Sequence, residues 1–391
     1  MTVPDRSPRP GASGSAGADD AIRAQIERSV ERVFADHADT AAHAAVERGE
    51  WPQQLWQAVL DAGFAAAAAR SSHGGIEAHW AEAWPILFGI GYWQVPLPLA
   101  EAMIGAMLLS IAGEAPPQDA ITLIEHGDDA QLLPGGSAQR PTVCGHAHRV
   151  PWARHCRWAL ASMPAARELL LVDLRQREGV RLKPGANLAG EPRDEIAFAD
   201  AHVALRVEQP LAGLDEPLRL LGAFVRSAAI AGALESALAQ SVRYAGERIQ
   251  FGRPIGAFQA IQHSLAILAS EAVAARTATL VAAGSVPSVA AGGPRRAAFD
   301  VAVAKLRCSE AATRGAPIAH QVHGAIGFTR EHPLHRATCR LWAWRAEHGS
   351  DAQWADWLGR AAIGAGSEGF WPGLTRRRFD GEPDANSRPI T

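Results

Sequence analysis

Residues 244–263 have the sequence Tyr-Ala-Gly-Glu-Arg-Ile-Gln-Phe-Gly-Arg-Pro-Ile-Gly-Ala-Phe-Gln-Ala-Ile-Gln-His. This segment predicts the end of one helix, a tight turn and the start of another helix, because Gly252 can adopt the left-handed conformation that ends a helix. Apolar residues return at helical spacing from Phe258 onwards. Arg248 lies in the last turn before the break, where its guanidinium suits either the helix carbonyls or a pair of phosphate oxygens. On these grounds alone, the segment also fits an ordinary corner between helices with a solvated arginine.

Length and composition narrow the class of protein before any other motif is considered. A chain of 391 residues predicts two or three domains. The net charge of -3 argues against nucleic acid as the main partner. The four cysteines show no Cys-x-x-Cys spacing, which predicts reduced thiols in a cytoplasmic protein. Residues 1–20 lack the apolar core of a signal peptide, and no run of about 18 apolar residues follows, so no membrane span is expected.

Hydrophobic patterning divides the chain into helical, strand-rich and again helical parts. Ile22, Ile26 and Val30 begin an amphipathic helical pattern, and similar patterns continue to about residue 114. Short apolar runs separated by Gly, Pro and Asp follow, which is typical of short strands. Long helical patterns then return and predict an antiparallel bundle. The predicted parts are a disordered tail (1–20), an N-terminal helical domain (21–114), a middle β domain (115–212), a C-terminal helical bundle (213–363) and a surface tail (364–391).

The individual elements follow from the same patterns. The predicted strands are 120–124, 141–148, 158–162, 168–173 and 195–203. The predicted bundle helices are 221–244, 258–283, 295–314 and 334–347. The first of these helices is rich in Ala and Gly, including Gly222 and Gly232, which predicts close packing against its neighbours.

A second glycine-containing segment, Gln-Val-His-Gly-Ala-Ile-Gly-Phe-Thr-Arg-Glu-His-Pro, occupies residues 321–333. Gly324 and Gly327 allow the backbone to approach a ligand closely, and backbone N–H groups in such a loop can bind an anion. A simple loop between helices explains the same residues. His332 and His335 lack further ligand spacing, as do His146 and His148 elsewhere, so no metal site is predicted.

The exact order of residues in both segments adds more information than their physical properties do. Arg-x-Gln-Phe-Gly-Arg-Pro-Ile followed by Phe-Gln-Ala-x-Gln-His resembles the flavin-binding corner of the acyl-CoA dehydrogenase family. The segment 321–333 resembles the family motif Gln-x-x-Gly-Gly-x-Gly-Phe, with Ala325 in place of the second Gly. The order of a helical domain, a β domain and a helical bundle is also similar. The family's Thr-Glu-Pro and Trp-Ile-Thr/Ser segments, which lie in its β domain, are not found in this chain.

The resemblance implies a flavoprotein that binds FAD. In the family, the corner reaches the FAD pyrophosphate and adenosine, and the glycine segment contacts the FAD of a neighbouring subunit. Carried over residue by residue, the predicted FAD-binding residues are Arg248, Gln250, Phe251, Phe258, Gln259, Gln321, Gly324 and Ala325. The resemblance further implies an acyl-CoA substrate, an electron-transfer flavoprotein as electron acceptor, and a homotetramer or a heterotetramer with a homologous subunit.

In the chemistry that the resemblance implies, a carboxylate removes the α-proton of an acyl thioester while a β-hydride passes to the flavin. Neither family position for this carboxylate holds one here. One branch places its Glu where this chain has His348, just before Gly349, and the other places it at Gly222. Three interpretations stay open: Glu347, one residue earlier, is the predicted base; His348 acts, with the pH dependence of imidazole; or a partner subunit carries the Glu. A structural alternative pairs Glu347 with an arginine on its own helix face, which it shares with Arg340.

The sequence therefore predicts an α+β protein, mostly α, with an N-terminal helical domain, a small middle β domain and a C-terminal four-helix bundle of the acyl-CoA dehydrogenase type. The predicted function is FAD-dependent α,β-dehydrogenation of an acyl-CoA thioester in acyl-CoA catabolism. The alternative is a non-catalytic structural subunit of a heteromeric acyl-CoA dehydrogenase. The residues do not identify the acyl group.

Overall fold

Helices lie before and after one large β-sheet, which confirms the predicted fold class. The computed structural model describes residues 13–127, 129–137, 139–176, 178–214, 216–289 and 294–379. The helices are α1 (Ser13–His37), α2 (Thr40–Glu47), α3 (Gln53–Asp61), α4 (Trp80–Tyr92), α5 (Leu99–Ile111), α6 (Pro217–Glu247), α7 (Gln259–Ala283), α8 (Pro294–His323), α9 (Leu334–Trp344) and α10 (Asp351–Arg376). The strands are β1 (Ile121–Ile124), β2 (Ala130–Gly136), β3 (Pro141–Pro151), β4 (Trp158–Met163), β5 (Glu168–Asp173), β6 (Val180–Lys183), β7 (Arg193–Glu208), β8 (Ile249–Gln250) and β9 (Arg253–Pro254).

Helix α4 of the N-terminal part packs against α6 with its backbone in contact. An ideal Cβ atom on Gly232 would lie 2.0 Å from the carbonyl oxygen of Phe88, so only glycine fits there. The prediction that small residues of α6 allow close packing is therefore confirmed at this position. The buried indole N–H of Trp84 also donates a hydrogen bond of 3.1 Å to Thr279 Oγ1 of α7. These contacts join the N-terminal helices to the bundle.

The sheet forms the middle of the chain. Its strand order is β1-β4-β5-β7-β3-β2, with β6 paired to β7, and only the β1–β4 pair among these is parallel. Strand β7 spans 16 residues and joins the two halves of the sheet. Its C-terminal part pairs with β5, and its N-terminal part pairs with β3 and β6. All five predicted strands are present. Strands β2 and β6 were not predicted, since β2 ends in Pro-Gly-Gly and β6 carries two exposed basic residues.

The bundle contains α6, α7 and α8, with α9 and α10 packed against α6 and α8 respectively. The prediction of a tail from residue 364 is wrong for residues 364–376, because α10 continues to Arg376 with a break at Gly366 (φ 66°). Beyond the helix, the buried Phe379 ring packs on Phe299 of α8, with ring centroids 5.6 Å apart. The predicted N-terminal tail also needs correction, because α1 begins at Ser13. Residues 1–12 and 380–391 of the two predicted tails lie outside the described part of the chain.

Two helices, α6 and α7, are long and apolar enough to cross a membrane by length and composition alone. The apolar window of α6 is 94% buried inside the protein, so this helix is the centre of the core. The corresponding window of α7 is only 33% buried. Its exposed apolar side chains include Ile267, Val273 and Val281.

Candidate active site

The corner between α6 and α7 has the predicted turn. Arg248 is the residue after the last residue of α6, and the two-residue strands β8 and β9 form a short hairpin behind it. Gly252 has a φ of 79°, and Phe251 beside it has a φ of 52°, so both residues adopt the left-handed conformation. Helix α7 then begins at Gln259. The segment therefore has the helix–turn–helix geometry that its glycine and proline residues predict.

The corner presents a free cation to solvent. Arg248, Gln250, Phe251 and Gln259 are exposed, and Phe258 is half-buried. The Arg248 side chain forms neither a hydrogen bond nor an ion pair with any residue that the structure describes. The Phe251 and Phe258 rings meet edge to face, 6.1 Å apart. An unpaired guanidinium beside aromatic rings fits a ligand that combines phosphate with a flat ring, as FAD does.

The glycine segment lies at the same end of the bundle. Gln321 is exposed in the last turn of α8, and the exposed Gly324 (φ 65°) and Ala325 begin a 3-10 turn. The ring of His323 stacks on that of Tyr244, four residues before Arg248, with centroids 4.7 Å apart. This contact brings the two motifs, which are far apart in sequence, to one exposed surface.

A cavity of about 760 Å³ lies elsewhere, between the sheet and the opposite end of the bundle. Its walls come from the end of β1 and residues 125–127, residues 129–130, the end of β3, the turn before β7, the start of α6, residues 346–349 and α10. Of the residues considered from the sequence as candidate site residues, Glu347 and His348 line it. Helix α6 has the cavity at its first turn and the corner at its last, and 31 helical residues extend for about 45 Å. The corner and the cavity of one chain are therefore too far apart to share one dinucleotide.

Glu347 is held by two arginines. Arg193 donates to Oε1 from Nε at 2.8 Å and from a terminal nitrogen at 2.6 Å, and Arg226 Nε donates to Oε2 at 2.6 Å. Burial alone raises the pKa of a carboxyl group, but the two guanidinium groups outweigh it and hold the pKa of Glu347 well below its usual range. A carboxylate with both oxygens occupied in this way is a weak proton acceptor. The geometry therefore disfavours the predicted role of Glu347 as base.

These contacts belong to a buried chain of alternating charges, which we call the ion-pair chain. It runs through Glu101, Arg226, Glu347, Arg193, Glu191 and Arg340. Glu101 lies on α5, Arg226 on α6 and Arg193 on β7, so the chain connects all three parts of the protein. The expected pairing of Glu347 with the arginine on its own helix face does not occur, because Arg340 binds Glu191 instead. These partners could not be predicted from the sequence, since they come from distant elements.

His348 turns in the opposite direction and faces the cavity. Its Nδ1 atom lies 2.9 Å from Oε2 of Glu125, which follows β1, and Arg219 Nε lies 3.9 Å from the other oxygen of Glu125. An ideal Cβ atom on Gly222 would lie 2.3 Å from His348 Nδ1. The two positions that the resemblance gives for a base therefore touch in space, and the imidazole occupies the space beside the glycine. Glu125 was not predicted as a site residue. The one feature of the sequence that indicates it is its position directly after an apolar strand.

Sequence comparison agrees with the fold and the motifs. The acyl-CoA dehydrogenase C-terminal domain matches residues 221–362. Acyl-CoA dehydrogenase IpdE2 of Mycobacterium tuberculosis is 28% identical over 326 residues, which cover 80% of this chain and 88% of the relative. Acyl-CoA dehydrogenase FadE27 of the same organism is 28% identical over 312 residues, which cover 73% of this chain and 81% of that protein.

Structural comparison gives the same fold. The ChsE4-ChsE5 complex from Mycobacterium tuberculosis superposes with a TM-score of 0.77 at 22% identity, over 88% of this chain and 97% of that one. PigA with FAD and proline superposes with a TM-score of 0.75 at 18% identity, over 90% and 98% of the two chains. The fold is therefore that of the acyl-CoA dehydrogenase structures, which include butyryl-CoA dehydrogenase from Megasphaera elsdenii. Residues 221–362 belong to the acyl-CoA dehydrogenase C-terminal domain family, and most of the chain is similar to acyl-CoA dehydrogenases.

Proposed function

We propose that the protein takes part in FAD-dependent α,β-dehydrogenation of an acyl-CoA thioester and passes the electrons to an electron-transfer flavoprotein. The observation that carries this proposal is the meeting of the two flavin motifs at one exposed surface, where Tyr244 stacks on His323. Arg248 there is free to bind a phosphate, and Gly324 leaves backbone N–H groups accessible. The proposed FAD contacts are those predicted at Gln250, Phe251, Phe258, Gln259, Gln321 and Ala325, together with these two residues.

The same geometry supports a multimeric enzyme, which we propose to be a tetramer. Because the corner lies about 45 Å along α6 from the cavity, a flavin bound at the cavity of one subunit requires the corner of another. The exposed apolar face of α7, with Val273 62% exposed, offers area for such an interface. A cytoplasmic location is part of the proposal, and all four cysteines are free thiols, as expected in a reducing compartment.

In this proposal the cavity holds the reacting part of the thioester between the sheet and α10. When bound, FAD supplies the hydride acceptor for the β-carbon. The protein contributes a shaped site that excludes water and groups that stabilise charge as the α-proton leaves. Within the cavity wall, Arg193 and Arg226 neutralise Glu347 and keep that carboxylate fixed.

The first experiment is the visible spectrum of the protein purified alone, followed by anaerobic addition of a panel of acyl-CoA thioesters. The expected result is bound flavin whose absorbance is lost with at least one thioester. A protein that carries no flavin, and takes up none when FAD is added, contradicts the proposal for this chain by itself. The corner variant Arg248→Ala should lower the flavin content, whereas Arg140→Ala, at an exposed turn of the sheet, should not.

A second candidate function is that of a non-catalytic subunit in a heteromeric acyl-CoA dehydrogenase. The specific observation in its favour is the neutralised state of Glu347, together with the lack of a carboxylate at positions 222 and 348. The ChsE4-ChsE5 neighbour is by its title a complex of two proteins. Here the corner and glycine segment of this chain would contact FAD held with a homologous partner that carries the base.

Co-expression with a homologous subunit separates the two candidates. Flavin and activity that appear only in the complex support the second candidate. Turnover by this chain alone rejects it. In the complex, Arg248→Ala should still reduce flavin content, because both candidates assign the corner to FAD binding.

A further inference from the structure

The side-chain pair at the cavity wall that the sequence did not predict is Glu125 with His348. We propose that His348 Nε2 accepts the α-proton of the acyl thioester and that Glu125 is its positioning residue. This inference rests on the proposed function and names the base within it. It is carried by the geometry of the pair and by the state of the other carboxylates around the cavity.

Three contacts fix the imidazole of His348. The Nδ1 atom lies 2.9 Å from Glu125 Oε2, so a proton on Nδ1 is donated to the carboxylate and the lone pair stays on Nε2. The indole N–H of Trp354 donates a hydrogen bond of 3.0 Å to the His348 carbonyl oxygen. Gly222 leaves space for the ring, since a Cβ atom there would overlap it. Within the described residues, Nε2 forms no hydrogen bond.

The backbone at His348 is also specialised. Its φ is 54°, in the left-handed region where residues other than glycine are uncommon. Such a conformation costs free energy and persists where the surrounding structure imposes it. Here it directs the side chain of His348 into the cavity while Glu347 turns into the ion-pair chain.

Every other carboxylate that the structure describes in the cavity wall forms an ion pair with an arginine or a lysine. The pairs are Asp129 with Arg149, Glu195 with Lys183, Glu216 with Arg219, and Glu347 with Arg193 and Arg226. For Glu347 this pairing lowers the pKa of the carboxyl group. Glu125 differs from these carboxylates, because its nearest partner is the His348 imidazole at 2.9 Å, while Arg219 lies 3.9 Å away.

The proposed step balances as a proton transfer. The Cα–H bond of the thioester breaks, the proton bonds to Nε2, and imidazole becomes imidazolium beside the Glu125 carboxylate. In dehydrogenation the electron pair of that bond would become the α,β double bond on departure of the β-hydride, for which bound FAD would supply the acceptor. The charged and titratable groups that line the cavity together with His348 are Glu125, His126, Asp129, His148, Arg149, Arg193, Glu195, Glu216, Arg219, Glu347 and Arg360.

The test measures α-proton exchange, which needs the base but no redox turnover. The purified holoprotein, together with any partner that co-purifies, is incubated in D₂O with 3-thiaoctanoyl-CoA, whose sulfur at position 3 prevents loss of a β-hydride. Deuterium at the α-carbon is followed by mass spectrometry, and binding of the thioester is measured separately by equilibrium dialysis. Flavin bleaching with the acyl-CoA panel is recorded for the same samples.

The main variant is His348→Asn, because asparagine tolerates the left-handed backbone and retains a polar group for Glu125. We expect exchange to fall by about 100-fold or more, as for loss of a general base. A second variant, Gly222→Ala, displaces the ring without changing it and should also lose most exchange. The matched control His146→Asn, at an exposed position of β3, should keep the wild-type rate. Thermal unfolding of each variant checks that it is folded.

Glu125→Gln tests the positioning role through the pH profile. The wild-type exchange rate should rise with pH as the imidazole loses its proton, and in Glu125→Gln the midpoint should move to lower pH with a rate about 10-fold lower at neutral pH. An unchanged midpoint overturns the role of Glu125.

The outcomes also separate this inference from the proposed function. A folded His348→Asn protein that exchanges and bleaches like the wild type overturns the role of His348 and leaves the proposed function intact. Wild-type protein that binds the thioester but does not exchange the α-proton also overturns it. Wild-type protein that binds neither flavin nor any thioester overturns both.

Discussion

Replacement of Arg226 by methionine tests the ion-pair chain at its most buried link. The Arg226 side chain is 4% exposed and bonds to Glu101, which is equally buried, and to Glu347 at 2.6 Å. Methionine has a similar length but carries no charge. The variant leaves Glu101 without an ion-pair partner among the described residues, while Glu347 keeps Arg193.

The loss in free energy of unfolding depends on which charged groups stay buried without a partner. Removing one partner of a buried ion pair costs about 3–5 kcal/mol, because the remaining charge has lost both its attraction and its contact with water. Folded domains are stable by only about 5–15 kcal/mol. Arg226→Met should therefore lose a large share of the free energy of unfolding. The double variant Glu101→Gln/Arg226→Met should lose less than Arg226→Met alone, because no unpaired carboxylate is left on α5.

The assay is equilibrium unfolding in urea at a fixed protein concentration, repeated at several pH values. The folded-state pKa of Glu347 is lowered, so its ion pairs stabilise the protein above the ordinary carboxyl pKa and this contribution is lost as the pH falls below it. The wild-type and Arg226→Met stabilities should therefore converge on acidification below about pH 4.5. A cost under about 1 kcal/mol at pH 7, or a double variant less stable than Arg226→Met, refutes the reasoning.

Three further predictions concern single buried groups. Lys305 donates to the Arg345 carbonyl oxygen, and burial lowers its pKa from 10.5 to about 8. The free energy of unfolding of the wild type should therefore increase by about 3 kcal/mol as the pH rises from 8 to 10.5. In urea unfolding, Lys305→Met should lack this increase. Burial lowers the pKa of His43 to about 3 from 6.5, so acidification from pH 7 to pH 5 should cost about 2 kcal/mol as the unfolded chain takes up the proton. His43→Phe should not show this loss, and an equal loss in both proteins contradicts the assignment. Gly232→Ala should lower the free energy of unfolding by about 2–3 kcal/mol, because the added methyl group meets a backbone oxygen of α4. Gly246→Ala, on the same helix but with open space around it, should be neutral or slightly stabilising in thermal unfolding.

The fold could be predicted where local patterns are strong. Helical periodicity and the two glycine-containing motifs gave the helix–sheet–helix order, because amphipathic spacing and turn residues act within about twenty residues. Sequence patterns did not predict the structure correctly where tertiary contacts determine whether a segment is helical. The Gly, Pro and Arg content of the last residues predicts a tail from residue 364, yet α10 continues to Arg376 and the buried Phe379 packs after its end.

The site could be predicted only in part. The motif residues around Arg248 and Gly324 lie together, as a motif-based interpretation requires, since motifs record short segments that contact one ligand. The partners of Glu347 could not be predicted, because Arg193 and Arg226 come from a strand and a helix more than a hundred residues earlier. Spacing along one helix suggested Arg340 as a partner instead, but the fold places Arg340 against Glu191.

The contrast between Glu347 and His348 shows how the fold assigns chemistry to adjacent residues. From the sequence both are titratable side chains at a helix end, next to Gly349, and either is a candidate base. The left-handed backbone at His348 and at Gly349 (φ 94°) reverses the chain there. Glu347 consequently points into the ion-pair chain, where two guanidinium groups lower the pKa of its carboxyl group, while the Nδ1 atom of His348 lies 2.9 Å from the Glu125 carboxylate. A residue with the more familiar catalytic side chain thus serves to join the sheet to the bundle, and its neighbour is the group with the geometry of a base.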